Sequence, residues 1–164
     1  MQISCGYFTY SIIMTPNKKG VFFMFKQFTI NAHIKRDIHK VWDTYHQPKH
    51  IKNWNYASSD WHTPFAESDF REGGNFCYRM EAKDGSAGFD FIGTFDVIDK
   101  PNCIKYHMDD QRKVVLNFKA KGIETDVEVM IDAEDSNSIE LQKRGWQAIL
   151  NNFKKYVESL EINC

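Results

Sequence analysis

The chain has 164 residues and a formal net charge of −1 at pH 7, a length that favours one domain with enough buried surface for a real core. Lysine and arginine are spread along the chain instead of forming the basic stripe of a nucleic-acid-binding protein, and no run approaches the roughly 18 apolar residues that span a membrane. Aromatic residues make up 15% of the chain, a high share that must fill a core or line a pocket.

The cysteines give little support to a metal or redox site. There are four, Cys5, Cys77, Cys103 and Cys164, and none forms the C-x-x-C pair of a zinc ribbon or a thioredoxin-type motif. Cys77 and Cys103 fall in strand-like runs, where a thiol behaves as a small hydrophobic group. We therefore expect a reduced protein of the cytoplasm.

The first 23 residues differ from the rest of the sequence. They have apolar character, but their lysines follow the apolar run instead of preceding it, which makes a poor signal peptide. A second methionine, Met24, stands where regular alternation begins. We expect residues 1–23 to be a dispensable N-terminal extension and residues 24–164 to form the domain.

A strand and two short helices are predicted next. Residues 24–34 alternate between polar and apolar side chains, which predicts a strand with one buried face. Asp37 then stands as a helix cap before apolar residues at helical spacing, namely Ile38, Val41, Trp42 and Tyr45. Pro48 predicts the start of a second short helix.

Residues 55–66 are predicted to form a loop, because they contain serine, aspartate and Pro64 without periodicity. This segment nevertheless carries Tyr56, Trp61 and Phe65. Such aromatic residues indicate that the loop folds back over an apolar surface.

Residues 68–131 predict an antiparallel meander of six or seven strands. The first two strands are joined by Asp84-Gly85, a strong hairpin turn. Their inner face is predicted to carry Phe76, Tyr78, Met80, Ala82, Phe89, Phe91, Gly93, Phe95 and Val97. Gly93 lacks a side chain in mid-strand, which indicates a bend or a close approach by another group.

The last segment, NSIELQKRGWQAILNNFKKYVESL, predicts one long helix. Asn137 with Glu140 resembles a capping box at its start. An apolar stripe that includes Trp146 would bury one face, and we expect Trp146 to be buried there. Gly145 costs about 1 kcal/mol relative to alanine inside a helix, so we expect it to pack closely or to mark a kink.

A family resemblance is carried by the segments KVW, QPKHIKNWN, SDFREGGNFCYRM, DGSAGFDFIGTFDVID and ELQKRGWQAILNNFKKYVESL. In this order they resemble the START-like (SRPBCC) superfamily. Within it they resemble the family named after the C-terminal domain of the activator of the ninety-kilodalton heat-shock chaperone's ATPase. The resemblance implies an α+β helix-grip fold, in which a curved antiparallel sheet wraps around a long C-terminal helix and two short helices follow the first strand. A cavity often lies between sheet and helix in this fold.

The aromatic residues are the candidate walls of such a cavity, since small-molecule sites are mostly apolar with few polar groups. The predicted ligand-binding residues are Trp42, Trp54, Trp61, Arg71, Tyr78, Phe89, Phe91, Phe95 and Trp146. For the aromatic residues the alternative is a filled core. Arg71 is predicted either to hold a ligand carboxylate at the cavity mouth or to form a surface ion pair.

Catalytic and metal sites receive no comparable support. His46 and His50 have the spacing of a helical metal pair, but Pro48 between them breaks the helical register. His62 and Asp60 lack the further partners that catalysis or zinc binding demands. The sequence shows no P-loop and no dinucleotide-binding fingerprint. We therefore expect no catalytic residues, no metal and no cofactor.

Three functions remain open on these grounds. The first is non-enzymatic binding of a small apolar or amphipathic ligand between sheet and helix. The second, which the family name implies, is a protein-interaction module that modulates a heat-shock chaperone ATPase. The third is an enzyme of the polyketide-cyclase type, which would need convergent titratable groups inside the cavity.

Overall fold

The computed structural model describes residues 25–161. Its helices and strands follow one another as β1 (Gln27–Ile34), α1 (Ile38–His46), α2 (Pro48–Ile51), β2 (Trp61–Ser68), β3 (Asn75–Ala82), β4 (Gly88–Asp99), β5 (Cys103–Met108), β6 (Lys113–Lys121), β7 (Glu124–Asp132) and α3 (Ile139–Ser159). The N-terminal extension expected from the sequence lies outside the described residues. Within residues 25–161, no helix is both long and apolar enough to cross a lipid bilayer.

The strands form one seven-stranded antiparallel sheet in the order β1-β7-β6-β5-β4-β3-β2. From β2 to β7 each strand pairs with the next, whereas β1 returns to pair with β7. The sheet curls, and α3 lies along it next to β1. The predicted α+β helix-grip fold, with two short helices after the first strand, is confirmed.

The two short helices begin where the sequence predicts. Asp37 Oδ1 accepts hydrogen bonds from the backbone N–H groups of His39 and Lys40 at 3.0 and 3.1 Å, which caps α1. α2 begins at Pro48, where the missing N–H of proline leaves no helical hydrogen bond unmade. These two signals define the first residues of the helices, and the apolar residues that follow, which include Val41, Trp42 and Ile51, pack into the core.

The predicted loop at residues 55–66 is wrong in its second half, because β2 begins at Trp61. The pairing of β2 with β3 shifts register between His62 and Phe65. This irregularity accommodates Pro64, which has no N–H to donate to the ladder. β2 is also the last strand of the sheet, so Pro64 marks an edge strand and not a loop.

The inner face predicted for β4 is wrong at its end. Phe95 pairs with Tyr106 and Val97 with Lys105, so one extra residue stands in β4 between them. This bulge moves Val97 to the outer face. Ile98, paired with Ile104, packs against the core in its place.

Helix α3 is held at both ends, and its first residue differs from the prediction. Ser138 Oγ accepts a hydrogen bond from the backbone N–H of Leu141 at 3.2 Å and is the N-cap. Asn137, the predicted cap, instead donates to Glu134. At the other end, the guanidinium of Arg36 donates to the carbonyl oxygens of Glu158 and Leu160, which satisfies acceptors that a helix end leaves free.

The core lies where the C-terminal half of α3 meets the sheet and α1. Leu150, Phe153 and Val157 are the buried residues of α3. They meet buried side chains of the sheet and of α1, which include Ile30, Ile34, Val41, Trp42, Leu116, Val127 and Ile131. The buried residues of α3 thus all lie in its C-terminal half, and this half of the helix completes the apolar core that stabilises the fold.

Of the two reasons predicted for Gly145, close packing is wrong. A Cβ atom added at this position would meet no other atom within 4 Å. The glycine therefore lowers the helix propensity of α3, and no close contact at this position requires the absence of a side chain.

Gly145→Ala should raise the free energy of unfolding by about 1 kcal/mol, because alanine has the higher helix propensity. Urea denaturation measures the difference. Gly93→Ala is the matched control and should destabilise, since a Cβ there would lie 2.5 Å from Phe76 Cζ and 2.7 Å from the His107 carbonyl oxygen. A Gly145→Ala protein less stable than the wild type would show that the position is crowded.

His33 bridges two carboxylates across the β1–β7 pair. Its Nδ1 lies 2.7 Å from Asp126 Oδ1, and its Nε2 lies 2.7 Å from Glu124 Oε2. The hydrogen bond to Asp126, followed by that to Glu124, raises the pKa of His33 above its ordinary value of 6.5. A raised folded-state pKa gives stability that is fully present below the unfolded pKa and is lost as the pH rises through the folded value.

An NMR pH titration should place the midpoint of the His33 imidazole above 6.5, and the free energy of unfolding should fall as the pH rises through that midpoint. Asp126→Asn should lower the midpoint, and His33→Gln should remove this part of the pH dependence. A wild-type midpoint below 6.5 would contradict the bridge.

Candidate ligand-binding cavity

A cavity of about 280 Å³ lies between the inner face of the sheet and α3. Aromatic side chains form much of its wall, namely Tyr45, Trp54, Phe70, Phe76, Tyr78, Phe89, Phe91, Phe95, Tyr106 and Trp146. Sites for small molecules commonly enclose about 300–1,000 Å³, and an apolar cavity of about 150 Å³ is enough to hold benzene. The space is therefore sufficient for one small ligand.

Most of the predicted ligand-binding residues border this cavity: Trp54, Tyr78, Phe89, Phe91, Phe95 and Trp146. They come from the turn that follows α2, from β3, from β4 and from α3. The alternation of β3 and β4 and the stripe of α3 thus point these side chains at one space.

Trp42, Trp61 and Arg71 are not part of the wall. Trp42 is fully buried in the core, with the Phe118 ring 5.4 Å from its own. Trp61 lies on edge strand β2, 6.1 Å from the Phe89 ring. Arg71 forms a surface ion pair, with its Nε 2.8 Å from Asp69 Oδ2 and its side chain 68% exposed, which is the second of the two alternatives predicted for it.

The Phe76 ring is the centre of the aromatic wall. Its centroid lies 4.9–5.6 Å from those of four other lining rings, Tyr78, Phe91, Phe95 and Tyr106. Phe76 is paired across the strands with Gly93, and its ring fills the place of the missing side chain. The close approach expected at Gly93 is thus confirmed.

Trp146 is only partly buried, which differs from the prediction. Its ring meets that of Phe91 edge-on at 5.9 Å. The N-terminal half of α3 borders the cavity there, and the space opposite Trp146 is not filled by other side chains. A tryptophan on the apolar stripe of a helix therefore became part of a wall instead of part of the core.

Phenol groups bring polarity into the cavity. Burial raises the pKa of Tyr45, Tyr78 and Tyr106 well above the usual value for tyrosine, and the neighbouring phenols raise the pKa of Tyr45 and Tyr106 further. All three therefore stay protonated at neutral pH. Tyr45 and Tyr78 keep part of their surface open although their phenols are shielded from bulk water, so this surface faces the cavity.

Trp54 and Asn55 carry side-chain donors that lie beneath the surface of the wall. These residues are 5% and 8% exposed, and both line the cavity. Trp54 Nε1 and Asn55 Nδ2 have no hydrogen-bond acceptor among the described residues. An unpaired buried donor costs about 1–3 kcal/mol.

His46 is a neutral member of the wall. Its ring stacks on that of Phe70 at 3.9 Å, and burial lowers its pKa below the ordinary value. His50, its partner in the rejected metal pair, is hydrogen-bonded to Tyr156 Oη at 2.9 Å. Among residues 25–161, no three His, Cys, Asp or Glu residues are grouped to hold a metal ion.

Sequence reasoning missed several lining residues. Arg112 and Glu134, from the segments that follow β5 and β7, and Gln142, from α3, also border the cavity. Arg112 Nε is bound to Asp110 Oδ2 at 2.7 Å. No local pattern marks these positions or Asn55. Tyr45 and Tyr106 did have a signal, since both stand on the apolar face of a predicted element.

The chain is similar over most of its length to a known family. A family model described as Activator of Hsp90 ATPase homolog 1-like protein matches residues 35–158. Comparison with the curated proteins finds no match.

Solved structures agree with this similarity. An AHSA1-like protein from Aeromonas hydrophila is 46% identical with a TM-score of 0.77, and the match covers 82% of this chain and 93% of that chain. A protein from Cytophaga hutchinsonii is 40% identical with a TM-score of 0.70, over 83% and 97% of the two chains. A protein from Chromobacterium violaceum shares the fold at 16% identity, with a TM-score of 0.72 over 82% and 99%.

Replacing single side chains of α3 by alanine should distinguish a core residue from a residue of the cavity wall. Phe153 is fully buried, 4.9 Å from the Trp54 ring, so Phe153→Ala should cost about 3–5 kcal/mol. Trp146→Ala should cost clearly less, because a side chain beside a void has fewer partner atoms to lose. Urea denaturation of both variants makes the comparison, and equal losses would show that Trp146 belongs to a filled core.

Proposed function

The chain belongs to the family of Activator of Hsp90 ATPase homolog 1-like proteins, and from this premise we propose that it binds one small apolar or amphipathic ligand between the sheet and α3 without catalysing a reaction. The observation that carries the proposal is the cavity of about 280 Å³ with aromatic walls. The proposed contacts are the lining residues predicted from the sequence, Trp54, Tyr78, Phe89, Phe91, Phe95 and Trp146.

A cavity of this size needs a physical reason. Protein interiors are normally close-packed, with few voids larger than a water molecule. Wall atoms beside a void lack dispersion partners and weaken the fold. A ligand that fits supplies those partners and recovers part of the loss, which supports binding over a passive defect in packing.

The polyketide-cyclase alternative receives less support from the titratable groups in the wall. Catalysis by proton transfer needs a group whose pKa lies near the working pH. Burial raises the pKa of the phenols and lowers that of His46. The carboxylate of Glu134 has its pKa lowered chiefly by the hydrogen bond from Asn137, so it is a weak base.

The chaperone-module alternative rests on the family's name, and co-purification with the cell's own chaperone tests it separately. We also propose that ligand binding takes place in the cytoplasm. Cys77 is a free thiol, the state that a reducing compartment maintains.

A thermal-shift screen of fatty acids, flavonoids and polyketide-like aromatic compounds should find a ligand that stabilises the protein. At a free concentration of one hundred times its Kd, a ligand raises the free energy of unfolding by about 2.7 kcal/mol through mass action. For a domain of this size the Tm should rise by roughly 5 to 10 °C.

Phe91→Trp should fill part of the cavity and reduce this shift while the protein stays folded. Phe65→Trp is the matched control, because Phe65 is 49% exposed and lies on edge strand β2, and its shift should equal that of the wild type. A flat screen together with a Phe91→Trp protein destabilised by overpacking would contradict the proposal and favour the chaperone module.

A further inference from the structure

This inference deepens the proposed function and rests on it. We propose that the ligand is amphipathic and carries a carboxylate, which the guanidinium of Arg112 binds at the mouth of the cavity. The apolar body of the ligand then lies between the sheet and α3, against the rings of Phe91 and Trp146 that border the cavity.

Arg112 stands where the cavity wall reaches the surface of the protein. Its carbonyl oxygen accepts the backbone N–H of Met108 at 2.9 Å, which closes the turn between β5 and β6, and both residues border the cavity. The Arg112 side chain is 17% exposed, whereas that of Asp110, to which it is bound, is 54% exposed. The guanidinium is thus held between the cavity and the solvent, and we call this place the mouth.

One edge of the guanidinium has no protein partner. Arg112 Nε donates to Asp110 Oδ2 at 2.7 Å, and Oδ1 of the same carboxylate accepts the backbone N–H of Arg112 at 3.1 Å. Nη1 and Nη2 have no hydrogen-bond acceptor among residues 25–161, yet neither is sealed in the interior. Two N–H groups in one plane are the arrangement that binds both oxygens of a carboxylate.

The polar side chains of Glu134 and Gln142, which also border the cavity, are already engaged. The Glu134 carboxylate accepts from the backbone N–H groups of Ser136 and Asn137 and from the Asn137 amide. The Gln142 amide accepts from the backbone N–H of Glu134 and donates to the carbonyl oxygens of Glu134 and Asn137. Of these three lining residues, Arg112 is therefore the one with donors left for a ligand.

The charges of the wall favour an anion at the mouth over an anion deeper inside. Among the described residues that border the cavity, Arg112 alone carries a full positive charge at neutral pH, because burial lowers the pKa of His46. Asp110 is half exposed, so water screens its opposing charge. An anion in the interior would lose its hydration without a countercharge, which is costly. The ligand is thus oriented with its carboxylate outward.

Three probes that share one skeleton and differ in the head group test the proposal. At pH 7, 4-phenylbutanoate is an anion, 4-phenylbutan-1-ol is neutral and 4-phenylbutylamine is a cation. NMR titration of the full chain measures the Kd of each. The carboxylate should bind about tenfold more tightly than the alcohol, the gain expected of a hydrogen bond between charged groups at a partly hydrated site. The amine should bind most weakly, because it brings a like charge to Arg112.

Two variants locate the effect, and a third is the matched control. Arg112→Gln should remove the preference for the carboxylate while the Kd of the alcohol changes less than about twofold. Arg112→Lys keeps the charge but loses the planar pair of N–H groups, so it should retain part of the preference. Arg144→Gln removes the same charge from an exposed position of α3 that does not border the cavity, and should leave all three Kd values unchanged.

A further measurement needs only the wild type. With ¹³C in the carboxyl group of 4-phenylbutanoate, an NMR pH titration follows the ionisation of the free and the bound probe. Contact with the guanidinium favours the charged form, so the carboxyl pKa of the bound probe should be lower than that of the free probe. A carboxyl group in the apolar interior would instead have a raised pKa.

The outcomes separate this inference from the proposed function. Equal Kd values for the carboxylate and the alcohol, or a raised carboxyl pKa on binding, would overturn the inference and leave the proposed function standing. So would tighter binding of the amine, or a preference for the carboxylate that survives Arg112→Gln. Failure of all three probes to bind would overturn the proposed function itself. If Arg112→Gln does not fold, Arg112→Lys and the ¹³C titration decide the role of Arg112.

Discussion

The contact on which the cavity depends is that of the Phe76 ring with the bare backbone of Gly93. A Cβ atom on Gly93 would lie 2.5 Å from Phe76 Cζ, so the ring reaches this place only because β4 carries no side chain there. From this position Phe76 supports the rings of Tyr78, Phe91, Phe95 and Tyr106. Large planar rings that brace one another in this way have few alternative rotamers. They therefore hold the wall in place instead of collapsing into the space in front of it.

The residues of α3 that belong to the core and those that border the cavity lie largely in different halves of the helix. The C-terminal half buries Leu150, Phe153 and Val157 and is tied by Arg36 to the chain that follows β1. The N-terminal half borders the cavity through Trp146 and Ile149, which are only partly buried. Because the core carries the apolar burial, the fold tolerates a void and the unpaired donors of Trp54 and Asn55. Local departures from good packing and full hydrogen bonding are typical of functional sites.

The sequence was sufficient for the fold and for much of the wall, and the failures have physical causes. Two-residue periodicity identified the inner faces of β3 and β4, but it cannot register the bulge that turns Val97 outward. Proline usually indicates a loop, but an edge strand also tolerates it. That β2, which contains Pro64, is an edge strand becomes visible only in the assembled sheet. Helical spacing placed Trp42 and Tyr45 on one face, yet one entered the core and the other the cavity. Asn55 and Arg112 reach the cavity through tertiary packing alone, so no local pattern identified them.

The central claim is that the sheet and α3 enclose a hollow and not a filled core. Crystals pressurised with xenon test it most directly, because xenon enters apolar cavities large enough to hold it and does not enter a close-packed interior. The account predicts a strong xenon peak bordered by Phe91, Tyr106 and Trp146, with the surrounding side chains unmoved. An interior without xenon, in which Phe91 and Trp146 have closed together, would contradict it.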